Sequence, residues 1–311
     1  MAIDMKGKHL LSISDLTQEE IYQIIETAMM LKLDRQTGRP HELLKGKTLG
    51  MIFQKPSLRT RVAFEAAMTQ LGGHGIYLGP EDIKLGKREK TEDIAIVLSR
   101  MVDVIMARVF GHEIVEELAR YSKVPVINGL SDFEHPTQIL GDLLTIYEKF
   151  RRLDGLKLAY VGDGNNVAHS LIYGAALTGM FIHVATPNGY EPDEGVVRKA
   201  REFAKSTGAV VEITNDPQQA VKDADVVYTD VWASMGQEAE AEERKKVFQP
   251  YQVNIELFEK AKPTAVFMHC LPAHYEEEVT LEVGRHPRSV IFDQAENRMH
   301  SIKAILVHVT R

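Results

Sequence analysis

The sequence predicts an α/β protein built as two doubly wound parallel-sheet lobes with an active-site cleft between them. Short runs rich in Val and Ile alternate with stretches of helical periodicity. The runs are continuously apolar rather than polar–apolar alternating, as strands covered on both faces must be. The series occurs twice, on either side of KFRRLDG at 149–155, and two successive β-α series imply two lobes.

Taken in order, LTQEEIYQIIETAMML puts Ile21, Ile24, Ile25, Ala28 and Leu31 on one helical face. Thr17 and Glu20 ahead of them have the spacing of a capping box. Strand-like runs follow at LGMIF, HGIYL, VDVIMARV and VPVINGL, with a helix over 113–121. The second series reads LKLAYVG, FIHVATP, AVVEIT, DVVYTDV, AVFMHC and VIF. A final helix carries Met299, Ile302, Ile305, Leu306 and Val309 as its stripe. The expected division is 1–149 and 150–296, with the helix 297–311 packing back on the first lobe.

Composition narrows the function. The 311 residues are 44% hydrophobic and 26% charged, with a net charge of −7. A general nucleic-acid or anionic-membrane binder would carry a basic excess, so any anion site must be local. One cysteine, Cys270, excludes an internal disulfide and fits a reducing compartment. No apolar run approaches the roughly 18 residues of a membrane span. MAIDMKGKHLL lacks the apolar core of a secretory leader, and a cytoplasmic location is expected.

The chemistry-bearing residues share one position. Ser57 to Arg61, Arg108, His135, Asn165, Asn166, Asp230 and Cys270 all stand at or just past the C-terminal end of an expected strand, the edge where open α/β sheets bind ligands. In KPSLRTR, Pro56 disfavours helix at Lys55, so Ser57 becomes the N-cap. The first-turn N–H groups, the hydroxyls of Ser57 and Thr60 and the Arg59 guanidinium together form an anion cradle. The pattern is not a Walker loop. VGDGNNVAHS follows a strand and opens a helix, so a nicotinamide site is the competing reading. Val167 stands where the third glycine belongs, and the next strand ends in VATP without a ribose-binding acid. Asn166 is a candidate to present its amide to a ligand carboxylate. In SDFEHPTQ, His135 and Gln138 can donate to one ligand carbonyl; His135 has no partner at metal-ligand spacing. Asp230 at a strand exit suits a cationic amine, and Gly236 beyond it lets a loop move. The stretch AEAEERKK, with Glu240 and Arg244 at i,i+4 spacing, reads as a solvated helix. In MHCLPAHYEEEV, His269 and Cys270 point to opposite faces of a strand, so His269 is poorly placed to activate the thiol. Cys270 is read as a polar contact to a substrate amine, or as an inert buried thiol.

Together the motifs SLRTR, HPTQ, DVWASMG, HCLP and AENRMH resemble, in order and over nearly the whole chain, the ornithine carbamoyltransferases of the aspartate/ornithine carbamoyltransferase superfamily. The resemblance implies an N-terminal carbamoyl-phosphate domain, a C-terminal amino-acid domain, and homotrimers, or assemblies of such trimers, whose sites are shared between neighbours. It implies transfer of a carbamoyl group to the side-chain amine of L-ornithine, giving L-citrulline and phosphate, in arginine metabolism and without metal or organic cofactor. Ser57, Leu58 (by its backbone), Arg59 and Thr60 would hold the phosphate, with Arg108, His135, Gln138 and Arg298 completing that site. Cys270 and Leu271 would lie beside the reacting centre. Asn166, Asp230, Ser234 and Met235 would bind ornithine. Arg59, Arg108, His135, Asp230 and Cys270 would carry catalysis. Two departures stand out: Lys84 replaces a glutamine in the loop a neighbouring subunit contributes, and HYEEEV replaces an Arg- and Gly-containing segment after HCLPA. Aspartate-specific relatives show H-P-L-P in place of HCLP and lack the Ser-Met-Gly loop, which favours ornithine.

Overall fold

The computed structural model describes residues 2–86, 89–233 and 238–311. The chain forms two compact units: Met1–Leu144 with Glu296–Arg311, and Thr145–Ala295. It passes from the first to the second within the helix Pro136–Phe150 and returns within the helix Ile291–Thr310.

The first unit holds a four-stranded parallel sheet of β1 (Thr48–Phe53), β2 (His74–Leu78), β3 (Val104–Arg108) and β4 (Val126–Leu130), in the order β2-β1-β3-β4. β1 and β3 are buried almost throughout, which explains their unbroken apolar sequence, whereas edge strand β2 is partly exposed along its length. Ile52, Ile105, Ala107 and Val126 pack with Val115 and Leu118 of the helix His112–Tyr121. The helix Gln18–Gln36 opens with the Thr17–Glu20 capping box expected from sequence and buries Ile21, Ile24, Ile25, Ala28 and Leu31. Its Thr27 meets His308 of the terminal helix at 2.9 Å.

The second unit holds five parallel strands, β5 (Lys157–Val161), β6 (Phe181–Ala185), β7 (Val210–Thr214), β8 (Val226–Thr229) and β9 (Val266–His269), ordered β7-β6-β5-β8-β9. One face of this sheet carries an aromatic core of Trp232, Phe248, Tyr251, Phe258 and Phe267. The expected strand VIF is not a strand. Val290 precedes the terminal helix, and Ile291 and Phe292 are its first residues. A three-residue apolar run carries no period, so helix and strand are indistinguishable there.

Both sheets reverse their winding once, between β1 and β3 in the first unit and between β5 and β8 in the second. Adjacent parallel strands whose connections leave in opposite directions open a crevice at their C-terminal ends. Among the described residues, no helix is long and apolar enough to cross a membrane.

Candidate active site

In the first unit the exits of the two reversal strands carry the basic cluster. β1 runs into Gln54–Pro56, and Ser57 caps the helix Leu58–Gln70, its Oγ accepting from Thr60 N–H at 3.2 Å. The first turn of any helix carries N–H groups without intrahelical acceptors, so this exit is suited to an anion. The three cations of KPSLRTR divide their work. Lys55 lies over the Phe110 ring at 4.5 Å, and Arg61 lies over Tyr77 at 3.8 Å while pairing with Glu65 at 3.0 Å. Arg59 instead acts on His135, together with Arg108 at the end of β3 and Arg298 from the terminal helix.

His135, Arg108, Arg298, Thr60 and Gln138 are all buried. Burial, and then the charges of Arg298, Arg108 and Arg59, hold His135 well below the ordinary imidazole range. It is therefore neutral at physiological pH and acts as a hydrogen-bonding group rather than a cation. Nη2 of Arg298 donates to Oγ1 of Thr60 at 2.9 Å, which leaves the hydroxyl proton of Thr60 to point elsewhere. Nε2 of Gln138 donates to Asp142 at 2.9 Å, fixing the amide in the first turn of the helix that His135 immediately precedes. Three guanidiniums around a neutral imidazole, in a chain of net charge −7, concentrate positive charge in a way suited to a multiply charged anion. Leu58 presents its backbone on the first turn while its side chain is 74% exposed.

In the second unit the exits of β5, β8 and β9 build a different site. Asp230, the residue after β8, is buried, and its carboxylate gathers three donors. Oδ2 accepts from Nδ2 of Asn165 at 2.8 Å; Oδ1 accepts from Cys270 Sγ at 2.9 Å and from the N–H of Val231 at 2.8 Å. The Asn165 carbonyl caps the helix Asn166–Thr178 by accepting from Val167 and Ala168, which leaves Asn166 half-buried at its first position. The expected contacts Ser234 and Met235 lie outside the described residues.

The glycine-rich turn is closed to a dinucleotide. Gly164 donates its N–H to Tyr190 O at 2.9 Å, and a Cβ on it would collide with the backbone of Glu191 and Pro192. The close approach that a pyrophosphate needs is taken by the chain's own backbone.

Sequence reasoning missed the support beneath HCLP. His269 and Glu278 are both fully buried, with Nε2 to Oε1 at 3.0 Å. Nδ1 of His269 accepts from Leu271 N–H at 2.8 Å, so the ring proton sits on Nε2 and is donated to Glu278. The same Oε1 accepts from the N–H of His274 at 2.6 Å. Leu271 has φ of +59°, a left-handed conformation uncommon for leucine, and this pair holds it at both ends. Nothing in YEEEV separates the buried Glu278 from the exposed Glu276 and half-buried Glu277 before it. Asp230, His269 and Cys270 offer donor atoms within 4.8 Å of one another, as do His274, Glu277 and Glu278. Both ring nitrogens of His269 are already used, and Glu277 is paired with Lys245 at 3.0 Å.

Comparison with known proteins places these two clusters in context. The model of the aspartate/ornithine carbamoyltransferase carbamoyl-P binding domain matches residues 8–148, and that of the Asp/Orn binding domain matches 154–309. An anabolic ornithine carbamoyltransferase of Pyrococcus furiosus is 58% identical over 309 residues, 99% of this chain and 98% of the relative. The ornithine carbamoyltransferase of Pyrococcus abyssi is 58% identical over 98% of this chain and 96% of its own. The solved structure of the Pyrococcus furiosus ornithine carbamoyltransferase aligns with a TM-score of 0.97 at 58% identity, covering 99% of both chains. An anabolic ornithine carbamoyltransferase of Campylobacter jejuni aligns with a TM-score of 0.91 at 42% identity, over 96% of this chain and 97% of its own.

Proposed function

The chain belongs to the aspartate/ornithine carbamoyltransferase family, and from that premise we infer that it transfers the carbamoyl group of carbamoyl phosphate to the side-chain amine of L-ornithine. The products are L-citrulline and phosphate. The observation that carries this reading is the trio Arg59, Arg108 and Arg298 around a neutral His135, a receptor for a dianionic leaving group.

Carbamoyl phosphate is a mixed anhydride, so an uncharged amine suffices as nucleophile and the balanced reaction needs no cofactor. The amine nitrogen bonds to the carbonyl carbon, the carbonyl becomes an oxyanion, and the C–O bond to phosphate then breaks. Arg59 and Arg108, with the backbone of Ser57, Leu58 and Thr60, would neutralise the phosphate. The Thr60 hydroxyl and His135 would donate to the developing oxyanion, where such donors help most. A neutral imidazole donates here without becoming an acid. Gln138 would orient the carbamoyl amide.

The free side-chain amine of ornithine, like that of lysine, titrates at about 10.4, so the site must bind or create the neutral form. The buried carboxylate of Asp230 would attract the incoming ammonium and repel a dicarboxylate such as aspartate; because it favours the charged form, the amine must still give up its proton before it attacks. Cys270 stands on the same carboxylate and is placed to pass the amine's proton. Asn166, Ser234 and Met235 would hold the amino-acid end, and Leu271 would line the reacting centre.

The same reading makes the enzyme a cytoplasmic homotrimer or an assembly of trimers. Leu58, Val62 and Ile76 are exposed along edge strand β2 and the neighbouring helix, an apolar face that a second copy would cover. Lys84, held at a left-handed turn and paired with Glu81 at 3.3 Å, would then reach a neighbour's phosphate. Sedimentation at the mass of a trimer or a whole multiple of it checks this.

A colour assay for citrulline tests the function, with ornithine, aspartate and putrescine offered in parallel. Product is expected from ornithine alone; carbamoyl-aspartate formation would overturn the substrate.

One structural residue yields a prediction of its own. A methyl group on Gly141 would stand 3.2 Å from the backbone N and Cα of Arg298, tighter than ordinary contact. Gly141→Ala is expected to shift Arg298 from Thr60, lower stability by about 1–3 kcal/mol and raise KM for carbamoyl phosphate. Thermal melting and steady-state kinetics measure both effects.

A further inference from the structure

The helix Ala241–Phe248, AEERKKVF, has the composition of a solvent-facing helix, yet Arg244 within it is only 7% exposed. This corrects the expectation of a wholly solvated stretch. Its Nη1 donates to the carbonyl of Trp232 at 2.9 Å and pairs with Oδ2 of Asp163 at 3.1 Å. Its Nε donates to Glu240 at 3.2 Å, and the guanidinium lies 4.9 Å from the Tyr190 ring centroid and 5.9 Å from that of Phe248. Asp163 is 6% exposed. One side chain thus ties the exit of β5 to the exit of β8.

Both ends of that tie lead to Asp230. Trp232 lies two residues beyond it. On the other side, the carbonyl of Asp163 accepts from the Tyr160 hydroxyl at 2.8 Å, which also reaches Oδ1 of Asn165 at 3.4 Å. Asn165 in turn donates to Asp230. A buried ion pair gives little net stability, because desolvation offsets most of the attraction. What it gives is fixed geometry, and the geometry fixed here is that of the one carboxylate assigned to the amine.

We propose that Arg244 and Asp163 are positioning residues for the amine substrate, their buried pair setting the β8 exit so that Asp230 meets ornithine. The inference rests on the reading that Asp230 binds ornithine. Neither residue touches the reacting atoms.

Desolvation pushes the Asp163 carboxyl up to about 6, against the pull of Arg244 and with the push of Asp230 and Glu240. Among the described residues the Tyr160 hydroxyl, which donates to the Asp163 carbonyl, is itself held well above the usual phenol range by burial and then by Asp230 and Asp163. Below about pH 6, therefore, Asp163 takes up a proton and Arg244 loses its buried anionic partner, keeping only the exposed Glu240.

The test compares wild type with Arg244→Gln, Arg244→Lys and Asp163→Asn, measuring kcat and KM for each substrate from pH 5.5 to 8. Arg244→Gln is expected to raise KM for ornithine at least about 10-fold, the loss that follows from roughly 1.4 kcal/mol of misplaced binding, while KM for carbamoyl phosphate stays within about twofold. Arg244→Lys should recover part of the loss. The ratio of ornithine KM between Asp163→Asn and wild type should be large above pH 7 and fall toward unity near pH 5.5. An Arg244→Gln enzyme with ornithine KM within twofold of wild type, or with both KM values raised equally, overturns the proposal. Should Arg244→Gln fail to fold by circular dichroism, the isosteric Asp163→Asn decides, and a ratio independent of pH overturns it. Wild type that forms no citrulline removes the substrate reading instead, a result visible before any variant is measured.

Discussion

Arg59→Ala is expected to lower kcat/KM for carbamoyl phosphate by about 10³ while the protein remains folded. The three cations of KPSLRTR look equivalent in sequence, but the structure separates them. Lys55 and Arg61 are spent on aromatic faces and on Glu65. Arg59 is the one whose charge bears on His135. A charge that stabilises the departing phosphate matters most as the C–O bond breaks, so the loss should fall on kcat as well as on KM. Stability should change little. The helix carrying Arg59 is anchored by Ala63, Phe64, Ala67 and Met68, all buried, and substitutions away from such anchors usually stay within about 0.5 kcal/mol. Arg61→Lys serves as the control, because that cation faces Tyr77; it should leave turnover near normal. An Arg59→Ala enzyme with near wild-type turnover removes the phosphate assignment.

How far the sequence anticipates this site depends on what kind of signal each residue leaves. Ser57, Arg108, His135, Asp230 and Cys270 each stand at or shortly after the end of a parallel strand, as their place in the sequence leads one to expect. The Thr17–Glu20 capping box is equally local and equally legible. The strands themselves are readable because burial on both faces leaves unbroken apolar runs. VIF is the exception, since three residues are too few to show a period and the helix they begin draws its stripe from residues further on.

Arg244 and Glu278 left no such mark, and Asn165 left only its place past a strand end. Arg244 sits among Glu and Lys residues at salt-bridge spacing, and what buries it arrives from Tyr190 and Asp163, 54 and 81 positions earlier in the chain. Glu278 is the third of three consecutive glutamates, and only its approach to His269 distinguishes it. Asn165 looks like a helix cap and is one; its second bond, to Asp230, depends on β5 and β8 being neighbours across a reversal in strand order. Long-range pairing of this kind is a property of the sheet topology, and local pattern does not encode it.

Asp230→Asn is expected to lower kcat/KM for ornithine by about 10²–10³ and leave the dissociation constant for carbamoyl phosphate within about twofold. The substitution keeps the shape and removes the charge. Losing a buried, hydrogen-bonded charge at a binding surface costs about 2–5 kcal/mol, and here the partner that loses it is the substrate amine. Part of the cost falls within the protein. The Asn165 amide and the Cys270 thiol both donate to this carboxylate, and an amide side chain accepts through only one of its two terminal atoms. Stability should therefore fall by about 1–3 kcal/mol, less than unfolding requires. Carbamoyl phosphate binding is insulated because Arg59 and Thr60 stand on the helix Leu58–Gln70, His135 just ahead of the helix Pro136–Phe150 and Arg298 on the terminal helix, whereas the bonds described for Asp230 go to Asn165, Val231 and Cys270. Equilibrium binding of carbamoyl phosphate alongside ornithine kinetics separates the two effects. If both substrates are lost together in a folded Asp230→Asn protein, the division of labour between the two clusters is wrong, and the amine must be held elsewhere.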